Sequence, residues 1–560
     1  MCWRDAKKPY LCTAMKIKII TLLAAAAMCA EAADACTSLI AAKGATADGS
    51  TMITYAADSH TLYGELYNKA AADHAPGSMR RVADWDSGRY LGEIPEVAHT
   101  YATMGNMNEH GVTIAESTWG GRPELAGSGL IDYGSLIYIA LERSKTAREA
   151  LDVMTSLVRD YGYASEGESF SIADPDEVWI LELIGKGKTD PGAVWVARRV
   201  PDGCISGHAN HSRIHTFPLD DPQTLYSPDV IDFARSQGYF VGDDKDFDFS
   251  RAYAIADALA LRGCDARVWS YYNRFMDNDA ADRWLPWILE GKGEIMPLWV
   301  KPDRPVSAND LKWMMRDHFE GTPLDMTKDP GAGPFDVPYR WRPLTYEVDG
   351  STYTHERAIA TQQTGFSFVS SMNSGRPDAM RGILWFGVDD ANTCVYIPVF
   401  NTLTEVPHQL AHGNGDLLTL SWDAMFWVNN YVANQAYNRY SQMIPDIRRV
   451  QKGFEDSLEG AVDSLAVSLA SAPAAEAASA ANALTARAAA DVTAAYKNLG
   501  DYLLVKFLDG NIKKETAPGT FERTPEGMAV QPAYGGYNER YFRQIADSEG
   551  DRLKVEPSAH

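Results

Sequence analysis

Strand-like runs occur in both halves of this chain with a long region between them, so any sheet they build must draw on segments far apart in sequence. From Cys36 to about Trp195, short alternating runs recur between Gly and Asp breaks, among them "STMITYAAD", "GVTIAEST", "SFSIADPDEVWILEL" and "GAVWVARRV". The stretch from Pro201 to about Tyr346 is rich in Pro, Asp and Gly, with short helices such as Ser307 to His318. Strand character returns at "ERAIATQQTGFSFVSSMN" and "GILWFGVDDANTCVYIPVF", about Glu356 to Phe400. A helix is expected from about Gly134 to Asp160, and Asp48-Gly49 suits a tight hairpin. From about Ser421 the period turns helical: Phe454, Leu458, Val462, Leu465 and Leu469 recur at helical spacing, and Pro473 breaks the run. Leu484, Val492, Tyr496, Leu499 and Leu503 continue it. The Ala-rich stretch Ala472 to Ala490 reads as a packing hairpin, and the polar tail after Asn511 is expected to loop back over the body. These signals divide the chain into residues 1–35, a main domain 36–420, a helical region 421–510 and a tail 511–560.

The amino terminus carries a second constraint. Met15 to Ala35 has a basic start at Lys16 and Lys18, an apolar run from Ile19 to Cys29 and a small-residue end at Ala33-Asp34-Ala35. That order is a secretory signal peptide with Met15 as the true start, and its removal leaves Cys36 first. Export to a bacterial periplasm or beyond follows as an expectation. The rival is lipidation of Cys36 or Cys29, whose flanks, Asp34 and Met28, fit a lipoprotein cleavage box badly. A thiol with a pKa of about 8.5 and an α-amine at about 7.7 to 8.0 on one residue form a nearly matched nucleophile and base. Cys36 is therefore the candidate nucleophile.

The net charge of −23 repels a phosphate backbone, so nucleic acid is an unsuitable partner. No stretch after the leader reaches 18 uninterrupted apolar residues, so no stable membrane span is expected. The remaining cysteines, Cys204, Cys264 and Cys394, are spaced like neither a disulfide scaffold nor a zinc site, and the simplest reading leaves them unpaired. His208, His211 and His215 have tempting spacing, but they lie between "PDG" and "FPLDDP", a poor context for a helix, and no Glu completes a metalloprotease pattern. No metal and no cofactor is expected. Asp389 and Asp390 follow a buried-looking strand and either face a cleft or end the strand in a turn.

Six fragments in order, "CTSLIAAKGATADGSTMITYAADS", "MNEHGVTIAEST", "SFSIADPDEVWILELIGKG", "VPDGCISGHANHSRI", "RDHFEGTP" and "GILWFGVDDANTCVYIPVF", resemble the cysteine dipeptidases of the dipeptidase A family. These are N-terminal-nucleophile hydrolases related to the secernins and, more distantly, to the penicillin V and bile salt acylases. The resemblance implies an α+β fold, an αββα sandwich of two antiparallel sheets between helix layers, here with added C-terminal helices. It implies Cys36 as nucleophile with its own amine as base, Asp58 beside it, and Asn210 holding the oxyanion. It also puts Glu116, Asp389 and Asp390 on segments able to meet a substrate's α-ammonium group. One departure stands out: the acylases and many dipeptidases have Arg where this chain has Tyr55.

The expected activity is thus hydrolysis of short peptides through a thioester on Cys36. The alternatives are an N-acyl amide hydrolase of the acylase type and a non-catalytic, lipid-anchored surface protein. Homo-oligomerisation stays open.

Overall fold

The computed structural model describes residues 36–254, 256–257, 259–277 and 279–555, so the leader lies outside the described residues. The strands of the two main sheets are, in chain order, β1 (Ser38–Ala41), β2 (Thr51–Asp58), β3 (Asn68–Lys69), β4 (Thr103–Met104), β5 (Met107–Asn108), β6 (Thr113–Gly120), β7 (Gly167–Ala173) and β8 (Val178–Gly185). They continue with β9 (Ala193–Arg199), β10 (Ile205–His208), β11 (Thr224–Tyr226), β12 (Trp299–Val300), β13 (Thr364–Met372), β14 (Gly382–Val388) and β15 (Ile397–Phe400). A seven-stranded sheet runs β12-β10-β1-β2-β13-β14-β15, and an eight-stranded sheet runs β11-β9-β8-β7-β6-β5-β4-β3. The pairings in both are antiparallel. The late strands do join the early ones: β13 lies along the whole of β2, from Thr364 opposite Asp58 to Met372 opposite Thr51.

The two sheets meet through β1 and β2 on one side and β6 and β7 on the other. Both faces of the central strands are covered, and β2, β7, β8, β13 and β14 are buried throughout, their serines and threonines included. Helices α1 (Tyr133–Arg143) and α2 (Ala147–Tyr161) cover the outer face of the eight-stranded sheet, where Leu136, Ile139, Leu151 and Met154 share a core with Ile114, Phe170, Ile172 and Leu181. Helices α3 (Ala266–Phe275), α4 (Met425–Ala436), α5 (Tyr440–Leu469) and α6 (Ala474–Lys506) pack on the seven-stranded sheet, α3 at β10, α4 at β14, and α5 and α6 at β15.

Local chemistry corrects two expectations. The single helix from Gly134 to Asp160 is two helices, because Ser144 ends α1 in extended backbone and Thr146 starts α2 by accepting the Glu149 N–H. The β1–β2 connection is a loop over residues 42–50 and not a tight hairpin: Asp48-Gly49 forms its last turn, with the Asp48 carboxylate accepting from the Ser50 N–H and Gly49 at φ +73°. Pro473 does separate the long helices, standing at the cap of α6. The tail reaches back, Asn538 and Arg540 both bonding to Asp336. Cys36, Cys204, Cys264 and Cys394 are all free thiols.

Candidate active site

The pairing of Thr37 with Ala56, N–H to O in both directions at 3.2 and 2.9 Å, extends the β1–β2 ladder and pins Cys36 beside the end of β2. There Cys36 is buried and its thiol points to Glu116 Oε1 at 3.2 Å, with the Tyr55 hydroxyl 3.7 Å away. The Tyr55 hydroxyl donates to the same Glu116 oxygen. Burial pushes the thiol well above its ordinary value, and the neighbouring Glu116 and Asp58 carboxyls push it further. An activating cation close to the sulfur is thus what this environment calls for.

Asp58, closing β2, is fully buried; burial lifts its carboxyl to about 6, against the pull of Arg357 at 3.1 Å and the Thr364 hydroxyl at 2.7 Å. Asn210 takes the left-handed backbone, φ 57°, which asparagine tolerates better than most residues. Its amide donates to the Thr118 carbonyl at 2.5 Å, and its Oδ1 accepts from Arg267 at 3.0 Å and Arg357 at 3.4 Å. Arg267 ties these parts together. From α3 it donates to the Cys36 carbonyl at 2.8 Å, the Thr37 hydroxyl at 2.6 Å and the Ala209 carbonyl at 3.0 Å. Buried and next to Arg357, its guanidinium is pulled down to about 10 and keeps its charge at neutral pH.

Cys36, Asp58 and Glu116 line one cavity of about 370 Å³, a volume suited to a small molecule. Tyr63, Tyr67, Trp85, Tyr133, Tyr138 and Phe366 supply aromatic walls, and Glu65 and Asp86 add acids at the more exposed side. One wall is held by contact between glycines: a Cβ on Gly64 would lie 1.9 Å from the Gly365 carbonyl oxygen, so the segment from Ser59 to Glu65 can press against β13 only with glycine there.

Asp389 and Asp390 belong elsewhere. They are not among the residues lining this cavity; Asn210 does not line it either, but its amide bonds to the carbonyl of Thr118, which does. Asp389, also left-handed at φ 67°, accepts from Asn430 of α4 at 2.8 Å, while Asp390 accepts from Tyr339, from Tyr437 at 3.3 Å and from the Asn392 N–H at 2.9 Å. They form the turn after β14, and their bonds hold α4 and its neighbours. The three histidines are likewise dispersed among different partners. His208 sits between Ser117 at 2.7 Å and Ser171 at 2.8 Å, bridging the two sheets, and burial lowers it to about 3. His211 pairs with Asp265 and His215 with Asp248.

Arg267, Arg357 and Glu168 are the parts of this environment that pattern alone did not pick out. Neither arginine stands in a motif, and Glu168 shares a face of β7 with the core residues Phe170 and Ile172, a place alternation offers to an apolar side chain; the structure buries it completely.

Comparison with known proteins adds an independent line. The chain is 25% identical over 464 residues to a "Probable dipeptidase" of Latilactobacillus sakei, covering 77% of this chain and 89% of that protein. It is 24% identical over 388 residues to a "Probable dipeptidase" of Salmonella dublin, covering 65% and 81%. A "Probable dipeptidase A" of Streptococcus pyogenes is 24% identical over 440 residues, covering 74% and 85%. A family model, Peptidase family C69, matches residues 63–453, a span that holds Glu116 and Asn210 and begins after Cys36 and Asp58. On that match, across more than half its length, the chain belongs to peptidase family C69, a family of cysteine peptidases.

Proposed function

We propose that this peptidase is an exported dipeptidase whose nucleophile is Cys36, made the first residue by removal of residues 1–35, and that its two-sheet, helix-covered body is an N-terminal-nucleophile αββα sandwich. The observation that carries the reading is the Cys36 thiol, 3.2 Å from a buried glutamate on the wall of an acidic, aromatic cavity of dipeptide size. The relatives' names point the same way.

In this mechanism the Cys36 α-amine takes the thiol proton as sulfur attacks the peptide carbonyl. Nearness of the protonated amine also supplies the cation that the buried sulfur needs to become a thiolate. Asn210 holds the tetrahedral oxyanion, and Arg267 keeps Asn210 and the Cys36 carbonyl in register. The C–N bond breaks, the leaving amine receives the proton, and water then hydrolyses the thioester to free thiol and acid. Asp58, paired with Arg357, fixes the end of β2 beside the sulfur. Glu116 meets the substrate's ammonium group, because a cation brought into a closed site needs a carboxylate or several acceptors close by.

Protein beginning at Cys36 is expected to cleave dipeptides, and protein keeping one residue ahead of Cys36, whose amine is then an amide, to lose most of that activity. Equal activity of the two forms rules out the amine as base. Faster turnover of penicillin V or bile salt conjugates than of dipeptides replaces the dipeptidase with an acylase. A diacylglycerol found on the amino terminus by intact-mass analysis replaces secretion with anchoring.

A further inference from the structure

The mechanism leaves two of the cavity's acids unused. Asp58 is held by Arg357 at 3.1 Å and Glu116 stands 3.2 Å from the sulfur, whereas Glu65 and Asp86 lie at the more exposed side. Among the described residues no lysine, arginine or histidine side chain lines the cavity, and the cation that the mechanism places there is the Cys36 α-amine at the sulfur. A basic cluster does line a second cavity across the wall of Tyr67, Trp85 and Tyr138, but its members are engaged. Lys69 at 2.6 Å and Arg80 at 3.0 Å bind Glu142, and Arg81 lies over the Tyr90 ring at 5.3 Å.

Both outer acids are held in place. Glu65 follows Gly64, whose approach to Gly365 presses the segment against β13; its side chain is 12% exposed, and one oxygen accepts from the His412 ring at 2.6 Å. Asp86 sits in the turn of a hairpin, Met79–Ala83 paired with Tyr90–Pro95. Trp85 pins that turn over the cavity, its backbone N–H donating to Asp132 at 2.9 Å and its ring stacking on Tyr138 at 4.8 Å, and the Tyr133 hydroxyl donates to Asp86 at 2.7 Å. A Cβ on Gly134 would lie 2.6 Å from Trp85, so the start of α1 admits the ring only as glycine. A carboxylate has about four acceptor positions, so a neighbouring hydroxyl or ring N–H orients it and leaves capacity for a guest donor. Burial, and then the charge of Glu65, raises the hydroxyls of Tyr63, to about 12, and of Tyr67, which sets both rings within reach of that carboxylate. Aromatic faces beside carboxylates suit a cation carried on an apolar stem: the rings take the methylenes, and ring faces and carboxylates together take the charge. At the inner end Asn106, 2% exposed, gives its amide N–H to the Ile114 carbonyl at 2.9 Å, and its Oδ1 has no donor among the described residues. The cavity thus offers acceptors and negative charge along its length, and it disfavours a guest that brings more negative charge.

We infer that Glu65 and Asp86 select dipeptides whose second, leaving residue is lysine or arginine, its side chain running along the aromatic wall to the two carboxylates. The inference rests on the dipeptidase reading and deepens it by naming the substrate class. With the first residue's ammonium group at Glu116 and its carbonyl at the sulfur, the leaving residue extends toward the open side. There its own α-carboxylate approaches Glu65 and Asp86. A neutral leaving residue brings that charge uncompensated, an acidic one doubles it, and a basic one offsets it.

Dipeptides that share a first alanine separate charge from shape. Alanyl-lysine and alanyl-norleucine have like stems with and without the cation, and alanyl-glutamate and alanyl-glutamine differ in the same way for the anion. With protein beginning at Cys36, kcat/KM should be about tenfold higher for the lysine peptide than for the norleucine peptide, and about tenfold lower for glutamate than for glutamine. In a protein carrying both Glu65→Gln and Asp86→Asn, which keeps acceptors for His412 and Tyr133, both ratios should shrink to within about threefold. Asp86→Lys should instead raise the glutamate peptide relative to the glutamine peptide, a gain that a loosened wall does not produce. Lysine peptide turning over no faster than norleucine peptide overturns the inference and leaves dipeptide hydrolysis standing. So does a preference that follows the first residue, lysyl-alanine over norleucyl-alanine with none at the second, or a pair of ratios that survives the double substitution. If none of these dipeptides is cleaved, the dipeptidase reading itself falls and takes the inference with it.

Discussion

At the scale of single residues, the thiol and its surroundings pose an electrostatic problem that the oxyanion side must solve separately. Asn210 is the group assigned to the oxyanion, and its backbone is left-handed, so alanine there would combine loss of the amide with strain. Asn210→Gly keeps the backbone and removes only the side chain. Loss of one oxyanion donor costs about a hundredfold to a thousandfold in kcat, and steady-state kinetics should show that loss with KM little changed. A kcat within a few-fold of the parent enzyme removes Asn210 from the reaction. Tyr55 is a different test, because its ring rests on Phe366 and Phe368 while its hydroxyl serves Glu116. Tyr55→Phe keeps the packing and takes one donor from a carboxylate. Hydrogen bonds to charged groups contribute about 1.5–3 kcal/mol, so kcat/KM for free-amine dipeptides should drop roughly tenfold to a hundredfold with circular dichroism unchanged. Cys36 could be picked from the sequence because the small-residue end of the leader precedes it, and Asp58 and Glu116 because they stand in fragments that resemble the dipeptidases. Glu168 could not, since burying a second glutamate against the first is a tertiary event with no local signature.

At the scale of elements, the strands were legible as short alternating runs, but their neighbours were not: nothing within "GFSFVSSM" says that it pairs with "TMITYAAD" rather than with a nearer strand. Helix ends were less legible still, as the break at Ser144 to Thr146 shows. Nor does the sequence divide where the packing divides. Residues of α4, α5 and α6 belong to the same buried core as β13, β14 and β15. A bidentate pair of Arg316 with Glu455 of α5, at 2.6 and 3.1 Å, is almost wholly buried, and Glu455 also accepts the Tyr396 N–H at 3.0 Å. Removing one member of such a pair strands a buried charge. Glu455→Ala should therefore lower the unfolding free energy by about 3–5 kcal/mol, read from denaturant titration. A loss below about 1 kcal/mol would mean that α5 is an appendage, and that residues 36–420 could stand alone.

At the scale of the whole molecule, the buried acids set how stability depends on pH. Burial holds Asp58 at about 6, Arg357 notwithstanding, and raises Glu116, Glu168 and Asp389 as well. An unfolded carboxyl releases its proton near 4, so from about pH 4 to about pH 6 the native chain binds more protons than the unfolded one. Stability therefore falls as pH rises through that window, and Asp58 alone accounts for about 3 kcal/mol of the change. His208 opposes these acids in that same window, because burial holds its imidazole near 3 while the unfolded one binds a proton below about 6.5, so the raised acids must outweigh it together. Asp265, Glu320 and Glu455 also act in the opposite sense. Their burial is outweighed by His211, His318 and Arg316, which hold them below their ordinary values, and the stability they contribute is lost as pH falls below about 4. The net charge of −23 adds self-repulsion that mild acid relieves. The two sets of groups place maximal stability near about pH 5 rather than at neutrality. Scanning calorimetry at constant ionic strength should show Tm rising as pH is lowered from about 7.5 to about 5.5 and dropping again below about 4. Asp58→Asn cannot ionise and should flatten the first of these limbs while leaving the second. A Tm that declines steadily from neutrality downward, in both proteins, would mean that the buried acids are charged in the folded chain.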